Sequence, residues 1–196
     1  MLWESKKRKL LQALASALSK SEVDEPAIPV LDLFNAHPGY STSSSCSGRT
    51  MLLEIKKSKK DASIFWKMHL PWQRRALLNA IRSYKGSKDL WLFCQGFIFH
   101  VYCEDMVHAI LLLKFLRSAG LKRAGVISFS QFPVVEFMSN TYIALPVVIK
   151  GKRVVSDDYV LKLEQACLEK MRANLKNLAQ LKLKLENFCK TGCFVK

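Results

Sequence analysis

Leu90-Trp91-Leu92-Phe93-Cys94-Gln95-Gly96-Phe97-Ile98-Phe99-His100-Val101-Tyr102-Cys103 is apolar and aromatic almost throughout. A run of this kind reads as sheet, because aromatic and β-branched side chains suit a pleated, buried surface. Within it Phe97, Phe99 and Val101 alternate with Ile98, His100 and Tyr102. Successive side chains of a strand leave opposite faces, so the alternation can turn His100 out of the core and into a cleft.

The neighbouring segments build outward from that strand. Downstream, Glu104 and Asp105 favour a helix N-terminus through the macrodipole, and that helix should run to about Ala119 and close at Gly120. Residues 126–130, 134–138 and 142–149 read as three further strands, followed by a turn at Gly151. Ser156-Asp157-Asp158 caps a final helix with Val160, Leu163, Cys167, Met171, Leu175, Leu178, Leu181 and Leu185 on one face and a Lys-rich opposite face.

Upstream, Leu10, Leu11, Leu14 and Leu18 give a first helix over residues 2–18. Ser21 or Asp24 can cap the next segment, and residues 28–36 read as a short second helix stopped by His37-Pro38-Gly39. A small-polar loop is expected over residues 40–49. Strands 51–55 and 63–70 should form a hairpin around the basic turn 56–60, and Pro71 should open a helix over residues 72–84.

Strands and helices are mixed without regular alternation. The expected class is α+β: a mixed β-sheet with packed helices and a long C-terminal helix, not a Rossmann fold. One domain is expected over residues 1–196, with 156–189 as the long helix. No Gly-x-Gly-x-x-Gly follows a strand, and no P-loop or His-Glu-x-x-His occurs.

Charge narrows the partners. Thirty-one Lys and Arg face 16 Asp and Glu, a formal net charge of +15. Such an excess suits a polyanion, because each phosphate contact releases condensed counterions. The basic residues cluster at 6–9, 56–60, 74–75, 122–123 and 150–153, and Trp3, Trp66, Trp72 and Trp91 are available for packing or for stacking on bases. No apolar run reaches membrane-spanning length and the charged start is too interrupted for a signal peptide, so a cytoplasmic protein without membrane association is expected.

The cysteines are Cys46, Cys94, Cys103, Cys167, Cys189 and Cys193, with no CxxC pair, and no metal site is expected. Cys94 and Cys103 read as small core residues, while Cys189 and Cys193 could pair or remain two free thiols.

The most unusual segment is Ser44-Ser45-Cys46-Ser47-Gly48-Arg49. In a loop, its hydroxyls, amides and Gly could form an anion-binding nest with the Arg49 fork beside it; a Ser-rich linker is the other reading.

That segment also carries a resemblance. Together with Val23-Asp24-Glu25, the block Trp66 to His69, His100-Val101 with Cys103, the turn Gly120 to Val126, Leu145-Pro146, Gly151, Tyr159 and Asn174, it resembles the tRNA wybutosine-synthesizing methyltransferase family. The chain departs from the family pattern at Gln95-Gly96, Ala124, Met138 and Ala144.

The resemblance implies methyl transfer from S-adenosyl-L-methionine to ring N4 of a tricyclic guanosine, 7-aminocarboxypropyl-demethylwyosine, at position 37 of phenylalanine tRNA, in the anticodon loop. A non-enzymatic basic RNA-binding module is the alternative. On the first reading His100, His69 and Arg49 are the catalytic candidates, and Ser44, Ser45, Cys46, Ser47, Gly48 and Arg49 bind substrate or donor. A neutral imidazole suits the proton that the ring nitrogen must lose. Methylation at nitrogen needs no covalent thiol, which gives Cys46 a packing or binding role.

Overall fold

A computed structural model describes residues 2–55 and 62–190. The basic turn 56–60, the Cys193 thiol and the Cys189 side chain lie outside the described residues. The elements run α1 (Leu2–Ser19), a short 3-10 turn (Glu25–Ala27), α2 (Ile28–Ala36), β1 (Tyr40–Ile55), β2 (Ser63–Met68), α3 (Ala76–Ser83) and β3 (Asp89–Cys103). They continue with α4 (Met106–Ser118), β4 (Ala124–Ser128), β5 (Val134–Met138), β6 (Tyr142–Ile149), β7 (Lys152–Arg153) and α5 (Asp157–Lys190). Among the described residues the strands form a seven-stranded sheet ordered β2-β1-β3-β5-β4, with β6 on β3 and β7 on β6. The α+β class with a long final helix is therefore the observed one, and β1–β2, β3–β5, β3–β6, β4–β5 and β6–β7 all pair antiparallel.

Two compact units divide the chain. Among the described residues, the first takes those through Ser47, Phe97–Asn140 and those from Leu175 on; the second takes those of Gly48–Gly96 and Thr141–Asn174.

The core of the first unit joins Val30, Leu31 and Phe34 of α2 to Leu112, Phe115 and Leu116 of α4 and to Leu178, Leu181 and Leu185 of α5. These pack with Phe97, Phe99 and Val101 of β3, all fully buried. Phe99 lies opposite Phe137 of β5 and stacks on it at 5.2 Å, 8° from parallel. The inward set read from the sequence is the buried one, and the outward set with Ile98, His100 and Tyr102 is half-buried.

In the second unit Leu77, Leu78 and Ile81 of α3 and Val160, Cys167 and Met171 of α5 bury against Leu90, Leu92 and Cys94 of β3 and Val147 of β6. β1 and β2 pair antiparallel from Thr50↔Met68 to Glu54↔Ser63, as expected of these two strands, with a register shift between Leu52 and Leu53.

Four local expectations are corrected. Residues 40–49 are not a loop but the first part of β1. Asp24 makes no helix cap; its carboxylate instead accepts from Ser47. The helix expected from residue 72 begins at Ala76, because Arg75 adopts the left-handed region (φ 66°) and interrupts it. On α5 the buried row is Val160, Glu164, Cys167, Met171, Asn174, Leu178, Leu181 and Leu185, so Glu164 and Asn174 take the places expected for Leu163 and Leu175. That row steps by four and three residues alternately, the spacing that keeps one helix stripe facing a partner.

The start of the chain is fastened by polar contacts. Trp3 is buried and its indole N–H donates to Pro38 O at 2.8 Å. The buried Lys7 ammonium donates to His37 O and Pro38 O. Both residues hold α1 onto the His37-Pro38-Gly39 turn, which takes Trp3 and Lys7 out of the set available to RNA.

Candidate functional site

The polar start of β1 is a strand because two side chains outside it meet its polar groups. Asn35, at the end of α2, accepts from Thr42 N–H (2.9 Å) and Ser41 Oγ–H (3.3 Å), and its amide donates to Thr42 Oγ1 (2.8 Å). Asp24 accepts from Ser47 N–H at 2.8 Å and from Ser47 Oγ–H at 3.1 Å. Ser41, Thr42 and Ser47 are consequently buried without the cost of unmade hydrogen bonds. Between these two anchors Ser43 and Ser44 remain exposed and Ser45 and Cys46 half-buried.

In the first unit the exposed Ser44 meets His100. Glu136 stands directly opposite His100 in the β3–β5 register, with His100 Nε2 2.7 Å from Glu136 Oε2. A carboxylate only accepts, so Nε2 carries the hydrogen. The neutral ring then has its lone pair on Nδ1, which accepts from the Ser44 hydroxyl. A hydroxyl, an imidazole and a carboxylate thus form one row, with His100 and Glu136 each about a quarter exposed. This is the arrangement that orients an imidazole as a proton acceptor and stabilises its charged form.

In the second unit His69 Nδ1 donates to Gly48 O at 3.0 Å, which sets the neutral ring's lone pair on Nε2. Gly48 itself is held tightly. Its φ is 112°, and a Cβ there would come 2.8 Å from Met171 Cε, 2.8 Å from Asn174 Nδ2 and 3.0 Å from Gln95 O. Glycine is required here for the backbone conformation and for close approach, not for an anion nest. Arg49 follows it on β1 and is half-buried. The six residues Ser44 to Arg49 therefore lie on one strand, with Ser44 to Ser47 in one unit and Gly48 and Arg49 in the other.

The buried thiols behave as core residues. Burial pushes the Cys103 thiol up to about 12, and Cys94 Sγ packs against Cys167 O.

The family model described as Methyltransferase TYW3 matches residues 5–187. The chain belongs to this family. A relative from Archaeoglobus fulgidus named tRNA(Phe) 7-((3-amino-3-carboxypropyl)-4-demethylwyosine(37)-N(4))-methyltransferase is 32% identical over 99% of this chain and 98% of its own. A Pyrococcus abyssi protein of the same name, numbered 1, is 32% identical over 94% of this chain and 96% of its own. Among solved structures, the PH1069 protein of Pyrococcus horikoshii superposes with a TM-score of 0.83 at 30% identity, covering 93% of this chain and 95% of that one.

Within the TYW3 family chain, the structure adds residues that the sequence reading missed. Glu136 was hidden because strand register is not written in the sequence; the only signal was one charged residue in the apolar strand Val134–Met138. Asp24 and Asn35 were legible as residue types but not as the two side chains that make β1 a strand.

Proposed function

We propose that this chain methylates ring N4 of the 7-(3-amino-3-carboxypropyl)-demethylwyosine base at position 37 of phenylalanine tRNA, the reaction in its relatives' names, using S-adenosylmethionine in the cytoplasm. The observation that carries this reading is the Ser44–His100–Glu136 row, which runs from Ser44 in the family-resembling segment of β1 to His100 on β3 and Glu136 on β5.

The donor, when bound, supplies an electrophilic methyl on sulfur. The chain's own contribution is orientation of the attacking nitrogen and removal of its proton. Glu136 fixes the His100 tautomer with its lone pair on Nδ1, and the Ser44 hydroxyl lies between that lone pair and the outside. Ser44 can pass its proton to His100 as it takes one from the ring nitrogen, and Glu136 then faces the imidazolium. His69 is a second imidazole of defined tautomer, held by Gly48 O. Arg49 offers a planar fork to a carboxylate or to an RNA phosphate. Cys46 is assigned to binding or packing, since nitrogen methylation proceeds without a covalent thiol. The target base, in a loop, can be splayed from its stack, and the basic clusters beyond Lys7 would hold anticodon-stem phosphates.

The residues present also fit the charges of such a donor. A cavity of the second unit combines three guanidiniums with a buried carboxylate met only by loosely aligned amides and a buried indole N–H that lacks a hydrogen-bond partner.

The test is methyl transfer from labelled S-adenosylmethionine to phenylalanine tRNA carrying the unmethylated precursor. Incorporation at the position 37 nucleoside, lost in His100→Ala with the fold retained, is expected. Full activity in both His100→Ala and Arg49→Ala would overturn the site assignment.

A further inference from the structure

Beside α3 and the first turns of α5 lies a cavity of about 280 Å³, lined by Trp72, Arg74, Arg75, Glu164, Leu168 and Arg172 among others, all within the second unit. Its chemistry is unusual in two ways. Glu164 is only 4% exposed, on the buried row of α5; the Arg75, Ala76 and Leu78 amides at the start of α3 face its carboxylate, but none meets either oxygen in full hydrogen-bond geometry. Burial pushes its pKa up, against the weaker opposing pull of the Ala76, Arg75 and Leu78 amides and of Arg74. The Trp72 indole N–H is buried without a partner. A buried indole N–H with no partner and a buried carboxylate met only by loosely aligned amides are costly, and a ligand that accepts from the one and donates to the other relieves both.

The charges define that ligand. A phosphate or a simple carboxylate would suit Arg74, Arg75 and Arg172 but would be repelled by Glu164. A simple cation would suit Glu164 but face three guanidiniums. An apolar ligand would leave Glu164 as poorly matched as before and Trp72 Nε1 without a partner. A group carrying an ammonium and a carboxylate on one carbon meets all of these: the ammonium donates to Glu164, and the carboxylate accepts from a guanidinium fork and from the indole N–H.

We propose that this cavity binds an α-amino-acid terminus, with Glu164 holding the ammonium and Trp72 and the arginines holding the carboxylate. The inference rests on the functional reading above, under which two molecules carry such a terminus. One is the methionine end of the methyl donor; the other is the 3-amino-3-carboxypropyl arm named in the relatives' substrate.

Calorimetry on the full chain separates them. S-adenosylhomocysteine and methylthioadenosine share a nucleoside and a thioether, but only the first has the amino-acid end. Phenylalanine tRNA with and without the aminocarboxypropyl arm forms the second pair. Glu164→Gln keeps the side chain's shape, and Arg172→Gln, at an exposed position, serves if the first variant fails to fold.

If the donor is the source, either variant weakens S-adenosylhomocysteine about tenfold or more and leaves methylthioadenosine unchanged. If the substrate arm is the source, S-adenosylhomocysteine is unaffected and the variant loses its preference for the arm-bearing tRNA. Unchanged affinities throughout overturn the proposal. So does an equal loss for both small ligands, or an equal loss for both tRNAs, the latter marking plain phosphate contacts. A wild-type chain that methylates tRNA while both variants bind normally overturns the cavity assignment alone. A wild-type chain that transfers no methyl overturns the functional reading and this inference with it.

Discussion

His100 on β3 and Glu136 on β5 are register partners, and the 2.7 Å contact between them fixes which nitrogen of the imidazole holds the lone pair. Replacing Glu136 by Gln removes the negative charge that would face an imidazolium and offers an amide that can satisfy either tautomer. The expected result is a fall in kcat of about 10²-fold, the usual scale for a disabled general base, with donor affinity unchanged. Ser44→Ala should cost less than His100→Ala, because in the proposed reaction the hydroxyl only relays a proton that the imidazole finally holds. Single-turnover methyl transfer measured beside donor binding checks both.

Gly48 is expected to tolerate no side chain. Gly48→Ala must adopt φ 112° and place a Cβ 2.8 Å from Met171 Cε and Asn174 Nδ2. Left-handed strain and overpacking together should destabilise the chain by about 2–4 kcal/mol. Urea unfolding measures this directly, and a loss below about 1 kcal/mol would show that the contacts relax.

His37 should make stability sensitive to mild acid. Its pKa is lowered to about 4, first by burial and then by the charges of His108 and Lys7. The unfolded chain takes up this proton near pH 6.5 and the folded chain only near pH 4, so stability is lost as pH falls between those values. With solvent screening allowed for, the loss is about 1–2 kcal/mol. His37→Asn keeps an acceptor for Gly39 N–H and should flatten this part of the profile. Thermal unfolding at several pH values, wild type against variant, gives the comparison.

Binding to tRNA should depend steeply on salt. With a net charge of +15, affinity should fall about 10³-fold or more between roughly 50 and 200 mM monovalent salt if six or more phosphates are contacted. Lys7→Met should change that slope little, since the Lys7 ammonium is buried against His37 O and Pro38 O.

Much of the fold could be read from the chain because its apolar pattern matched its structural period. The bounds of α2, β5 and β6 are those expected, and the alternation of Phe97, Phe99 and Val101 with Ile98 and His100 held along β3. Residues 40–49 were misread because Ser and Thr signal turns when considered alone. Here their polar groups are met by Asp24 and Asn35, contributed by earlier segments of the chain. Glu136 became visible only with the β3–β5 register, which no local pattern encodes. Glu164 and Asn174 interrupt an otherwise apolar row on α5, and helical periodicity favoured the neighbouring Leu163 and Leu175. Residues 44–49 read from the sequence as a loop that could form an anion nest; in the structure they are strand, with anchored hydroxyls and a close-packed glycine.

The proposed reaction, methyl transfer to the base at position 37, can be measured directly. Phenylalanine tRNA purified from cells lacking this protein, incubated with the pure chain and S-adenosylmethionine and digested to nucleosides, can be weighed by mass spectrometry. The position 37 nucleoside is predicted to gain one methyl group, and His100→Ala and Glu136→Gln to lose most of this gain while retaining the fold. A nucleoside of unchanged mass with the folded wild-type chain would contradict it.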